Sequence, residues 1–204
     1  MRWDKSAIAY HDPVARWEPD ARERLILAAL DLFAEQGYDA TTVAQIAERA
    51  GLTKSTFFRH FPDKRELLVA GQQTLSRLLV EGIRESPAPA SPLDAVARGL
   101  DRAAGAMTPV NRRIAARLKA AVAANSELQE RDALKSVGMA SAMADALMER
   151  GVPDTPARLA AELGVLAFKR GFARWTAPGG DADELAEHTR VALDELRVAA
   201  AGLT

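Results

Sequence analysis

The chain has 204 residues, 48% apolar and 27% charged, with no cysteine. That suffices for a real core in one large or two small domains, and it leaves no material for a disulfide framework, a thiolate nucleophile or a Cys-ligated zinc module. With 27 Lys and Arg against 28 Asp and Glu the formal net charge is −1, so a protein that grips polyanions through bulk charge is excluded and any nucleic-acid contact must come from a local patch.

Alanine fills 42 positions and the β-branched pair Val and Ile only 17, which predicts an all-α protein. Residues 1–19 carry Trp3, Trp17, Pro13 and Pro19 without a sustained helical period and read as an extended arm. Leu25, Ala29, Leu32 and Phe33 then share one face of a helix over 20–36, closed by Gly37. Thr42 followed three residues later by Gln45 predicts a capping box, opening a short helix whose apolar face is Val43, Ile46, Ala47 and Ala50.

Gly51, Leu52 and Thr53 make a tight turn, and Thr53 caps a second short helix through His60, with Thr56, Phe57 and Phe61 facing inward. Pro62 ends it. Asp63 and Glu66 predict a second capping box at the start of a long helix running to about Ser86 through Leu67, Leu75, Leu79 and Ile83. Pro87, Pro89 and Pro92 mark a linker, beyond which helices are expected near 93–107, 110–124, 126–150, 155–176 and 182–201, about nine in all.

Two short helices joined by a Gly-containing turn describe a helix-turn-helix, whose second helix enters the DNA major groove. From Arg49 to Arg65 five basic residues stand against the single acid Asp63, although residues 1–70 together hold 10 basic and 11 acidic ones. The positive charge is thus confined to the recognition face.

The stretch ARERLILAALDLFAEQGYDATTVAQIAERAGLTKSTFFRHFPDKRELL resembles the DNA-binding domain of the TetR family of transcriptional regulators. The resemblance covers about a quarter of the chain and implies an N-terminal three-helix DNA-binding domain over 20–66, after the arm at 1–19. A C-terminal helical bundle for ligand binding and dimerisation would follow over 67–204. It also implies roles for single residues. Thr42 would meet a phosphate through its amide and hydroxyl; Lys54, Ser55 and Thr56 would lie nearest base edges, with Lys54 able to read guanine. Arg59 and His60 would lie over the sugar-phosphate backbone, and Lys64 would clamp a further phosphate. Two departures stand out. Phe58 replaces a tyrosine that usually binds phosphate, leaving it a thymine methyl to touch, and Ala44 replaces an arginine that reads bases in some members.

In the C-terminal region Leu185, Thr189, Ala192, Leu196, Ala199 and Leu203 form a heptad seam, while Val191 and Val198 line a second stripe. With Val165, Phe168, Phe172 and Trp175 on the preceding helix, the seam resembles the family's dimer interface, placing Val165, Trp175, Leu185, Thr189, Ala192 and Leu196 there. Met107, Met139, Met143, Phe168 and Phe172 are the adaptable apolar residues available to line a ligand pocket, with Asn111, Arg112 and Arg113 as an anionic handle.

The expected function is a homodimeric repressor on a palindromic operator in double-stranded DNA, released by a small hydrophobic or amphipathic effector. The alternative is a helical scaffold or small-molecule-binding protein without sequence-specific DNA binding. No G-x-G-x-x-G, G-x-x-x-x-G-K-[ST], H-E-x-x-H or G-x-S-x-G pattern occurs, and His11, His60 and His188 are not at ligand spacing, so no enzyme, cofactor or metal site is expected. Nor is a signal peptide or a membrane span. The residue content fits the cytoplasm.

Overall fold

The computed structural model describes residues 20–69, 72–177 and 185–203; the arm expected at 1–19 lies outside them. The described residues fold into ten helical segments and no strand. They are α1 (Asp20–Gln36), α2 (Val43–Arg49), α3 (Lys54–His60), α4 (Glu66–Val69), α5 (Gln72–Arg84), α6 (Pro92–Gly105), α7 (Pro109–Ala124), α8 (Ser126–Glu149), α9 (Asp154–Trp175) and α10 (Leu185–Ala201). The single helix expected from Asp63 is described as α4 and α5, with residues 70 and 71 outside the description, and it starts at Glu66 because Asp63 caps from outside the helix.

Two hydrophobic cores form. The smaller one gathers Leu25, Phe33, Ile46, Phe57, Phe61 and Leu67 from α1 to α4, and it is completed from the other end of the chain by Ala121 of α7 and Leu128 of α8. Burying each large side chain contributes about 1.5–3 kcal/mol, which is what lets helices as short as α2 and α3 persist. The larger core joins α5, α6, α8, α9 and α10.

Close backbone approach sets how that second core packs. A Cβ on Gly82 of α5 would sit 2.7 Å from the Arg98 carbonyl oxygen of α6, and one on Gly99 would sit 2.7 Å from the Leu79 carbonyl oxygen, so the two helices cross almost backbone to backbone. The proline-rich stretch after Ser86 is therefore a turn within one core rather than a spacer between units. It is tied down by Arg150, which donates to the carbonyls of Arg84 at 3.0 Å and Ser86 at 2.8 Å.

The first four residues of the seam face inward, correcting their assignment as a dimer surface, whereas Ala199 and Leu203 at its C-terminal end are exposed. Leu185, Thr189, Ala192 and Leu196 are all buried within the single chain, as are Val165 and Trp175 of α9. The reason is steric: Thr189 packs on Gly171 of α9, where any Cβ would come within 2.6 Å of it. The second stripe stays outside. Val191 and Val198 are 42% and 74% exposed, and on α9 Leu159 and Leu166 are 60% and 40% exposed. Glu195, between the two valines, pairs with Arg174 at 2.8 Å and Arg170 at 3.9 Å, so the bare stripes of α9 and α10 lie side by side.

Candidate nucleic-acid interface and effector cavity

The α2–turn–α3 unit is built from local bonds. Thr42 caps α2: its hydroxyl accepts from the Gln45 amide at 3.3 Å and donates to Gln45 Oε1 at 2.9 Å, while its own amide donates to that oxygen at 2.8 Å. The turn is closed by the Leu52 amide on the Ala47 carbonyl at 2.8 Å, with Gly51 at φ +66°, a conformation that side chains disfavour. Thr53 then caps α3 by accepting from the Thr56 amide at 3.1 Å.

This framework sorts the expected DNA-contacting residues. Lys54, Ser55 and Arg59 project from α3 into solvent, and among the described residues Lys54 and Arg59 have no ion-pair partner. Arg49, by contrast, is held by Glu35 through two bonds of 2.9 and 2.8 Å, and that arginine keeps the Glu35 carboxyl below its ordinary range. It adds no free charge to the patch. Thr56 is half-buried with its hydroxyl 3.0 Å from that of Thr53. Phe58, 52% exposed, lines an open groove with Thr42, Val43, Lys64 and Arg65.

Three expectations change. Both Thr42 donors are already used by Gln45, so a phosphate there has to displace that side chain. His60 is half-buried and its Nε2 is shut off from solvent without a partner among the described residues, so that nitrogen does not reach a backbone oxygen. The Lys64 ammonium turns inward: it donates to the carbonyls of Tyr38 at 2.6 Å and Thr41 at 2.8 Å and lies 4.1 Å from the Tyr38 ring centre. The amides beside it are not free either, since Asp63 accepts from Arg65 at 2.7 Å and Glu66 at 3.1 Å. Lys64 thus pins the α1–α2 loop to the start of α4. Arg65, exposed on the same groove, was missed in favour of Lys64 although both lie in the basic window.

Behind this domain, α7, α8 and α9 line a half-open cavity of about 240 Å³. Met139, Phe168 and Phe172 line it, together with Val165, Leu118 and Val122. Met107 and Met143 do not. Met143 is fully buried, its methyl filling the space a Cβ on Gly164 would take, and Met107 packs on the larger core. The expected handle is also elsewhere: Asn111 belongs to the Thr108 capping box, Arg112 donates to the Trp175 carbonyl at 2.7 Å, and Arg113 pairs with Glu23 at 2.8 Å. The charged groups at the cavity are Lys119, Lys135 and Lys169, with Asp132. Burial pushes the Lys135 ammonium below the ordinary lysine range; Asp132 opposes that shift and Lys169 reinforces it. A lysine between Asp132 and Ser136 carries no sequence signal of enclosure.

Among the described residues no helix is long and apolar enough to cross a membrane, and no group of His, Cys, Asp and Glu is arranged to hold a metal.

A capped, glycine-turned helix pair with free cations on its outer helix, mounted on a helical body, defines a helix-turn-helix DNA-binding protein. Residues 25–70 match the family described as bacterial regulatory proteins, tetR family. The regulator TcmR of Streptomyces glaucescens is 40% identical over 75 residues, 37% of this chain and 33% of TcmR. The transcriptional activator FasR of Mycolicibacterium smegmatis is 37% identical over 67 residues, 33% of this chain and 31% of FasR. The matches thus span about a third of the length of these curated relatives. A solved transcriptional regulator of Aquifex aeolicus shares the fold, with a TM-score of 0.51 at 20% identity over 87% of this chain and 98% of that one. Residues 25–70 thus carry a DNA-binding domain of the tetR family. The relatives named here are regulators of transcription rather than enzymes.

Proposed function

We propose that the chain is a homodimeric transcriptional repressor that binds a palindromic operator through α3 and is released when a small molecule fills the cavity between α7, α8 and α9. The observation that carries DNA binding is the outer face of α3, where Lys54 and Arg59 point to solvent without ion pairs among the described residues, on a scaffold of fixed caps. Lys54 and Ser55 act as base readers; Arg59 and Arg65 anchor phosphates. The domain boundary falls near residue 66.

Dimerisation uses the bare stripes, Leu159 and Leu166 of α9 with Val191 and Val198 of α10, all four of them exposed. A twofold axis through those stripes sets two α3 helices about 34–36 Å apart, one turn of DNA. Release is supported by α7, whose Leu118 and Val122 line the cavity and also pack against the core of the DNA-binding domain. A ligand favouring a displaced α7 shifts the dimer toward a spacing that does not fit DNA, by no more than its differential affinity for the two states.

Selection of duplexes from a random library by the purified chain, at low and near-physiological salt, tests the reading. A palindrome recovered at both salts is expected. Binding that fades with salt and yields no motif instead supports the helical scaffold without sequence-specific recognition.

A further inference from the structure

We propose that the cavity between α7, α8 and α9 takes an amphipathic carboxylic acid, its flat apolar body against Phe168 and Phe172 and its carboxylate at the Lys135 ammonium. The inference rests on reading that cavity as the effector site, and it names the chemical class of the effector.

Phe168 and Phe172 present nearly parallel rings, 5.7 Å between centres and 29° apart in plane, at the apolar wall. Across from them on α8, Asp132, Lys135, Ser136 and Met139 fall on one helical face and line the same space. Lys135 carries its charge into this half-buried position without a hydrogen bond or ion pair among the described residues. A half-buried ammonium without a partner loses part of its hydration uncompensated, and lysines reach fully buried places only with one. Asp132 attracts it but stands outside ion-pair distance, while Lys169 and Lys119 add positive charge. Three cations against one carboxylate favour an anionic guest. A carboxylate at Lys135 supplies the missing acceptor and screens the repulsion from Lys169. The volume of about 240 Å³ suits a body of one fused ring pair.

The test uses three probes with one body, 2-naphthylacetate, 2-(2-naphthyl)ethanol and 2-(2-naphthyl)ethylamine, titrated calorimetrically into the full chain without DNA. The acid is expected to bind one site per chain, about ten- to a hundredfold tighter than the alcohol, with the amine weakest, as for a charge-assisted hydrogen bond. Lys135→Met is expected to bring the acid down to the alcohol while leaving the alcohol unchanged; Lys135→Arg keeps part of the preference, and thermal unfolding checks that both variants are folded. The proposal is overturned if acid and alcohol bind alike, if the amine binds best, if none binds, or if the acid keeps its advantage in Lys135→Met. Operator release is measured separately with the same acid. Lys135-dependent binding that leaves DNA affinity unchanged sinks the release mechanism alone, whereas release by an unrelated compound with no acid binding sinks this inference alone.

Discussion

The Arg117 guanidinium of α7 donates to the Asp31 carboxylate of α1 at 2.9 Å. One turn earlier Arg113 of α7 reaches Glu23 of α1 at 2.8 Å, so two ion pairs tie the DNA-binding domain to the helix that walls the cavity. Both pairs are partly exposed, and either arginine changed to Ala should cost at most about 1 kcal/mol in urea unfolding. The apolar seam that runs beside and beyond them along α7 carries more. Ala121 is fully buried against the α1–α3 core, and Ala121→Leu should cost about 1–3 kcal/mol by overpacking. It should also weaken DNA binding from a position remote from α3, as a gel-shift titration would read. Unchanged DNA affinity in the folded variant would mean that α7 transmits nothing.

Lys64→Met separates a structural lysine from a phosphate clamp. Two charge-assisted bonds to carbonyls are lost, so stability should fall by about 1.5–3 kcal/mol, measured by thermal unfolding without DNA. Lys64→Met should leave the salt slope of DNA binding unchanged, whereas Arg59→Ala should lower it by about one. A slope lowered by Lys64→Met, with stability intact, would restore the phosphate role.

The two faces of α10 make opposite predictions. Val198→Glu, on the exposed stripe, should leave unfolding within about 0.5 kcal/mol and shift the chain toward monomer in sedimentation. Leu196→Ala, in the seam, should cost about 2–5 kcal/mol instead. A dimer untouched by Val198→Glu and by Leu166→Glu would locate the interface elsewhere.

These outcomes also mark what the residues disclose by themselves. Helix ends and the α2–α3 unit were legible because Thr42, Gln45, Gly51 and Thr53 act within a few positions of themselves. The period of α10 defined two apolar stripes but not which of them meets a neighbour; that depends on Gly171, eighteen residues before Thr189 and noticed only once the helices cross. Lys64 looks like a phosphate ligand in its basic window because its carbonyl partners, Tyr38 and Thr41, lie 26 and 23 positions away. Lys135 looks like a solvated charge until α9 brings Phe168 and Lys169 to it.

Acid should loosen the joint between α6 and α10. The Ser91 hydroxyl and then Arg197, at 2.9 Å, hold the Asp94 carboxyl below its ordinary range. A carboxyl depressed in the folded state contributes stability above its unfolded pKa, and this is lost as pH falls below about 4. The contribution is below about 1 kcal/mol for so exposed a group, and Asp94→Asn should remove that part of the pH dependence of the urea midpoint. A variant that follows the same acid profile as the parent would show that Asp94 takes no part in it.

Readout by α3 is tested most directly by running the duplex selection in parallel with the parent chain and with Lys54→Ala. The parent should yield a palindrome with half-sites one helical turn apart; the variant should yield the same palindrome with preference relaxed at one base pair in each half-site, a loss of about 1–3 kcal/mol in discrimination. A consensus unchanged at every position would contradict base reading by Lys54, and two libraries without any motif would contradict sequence-specific recognition altogether.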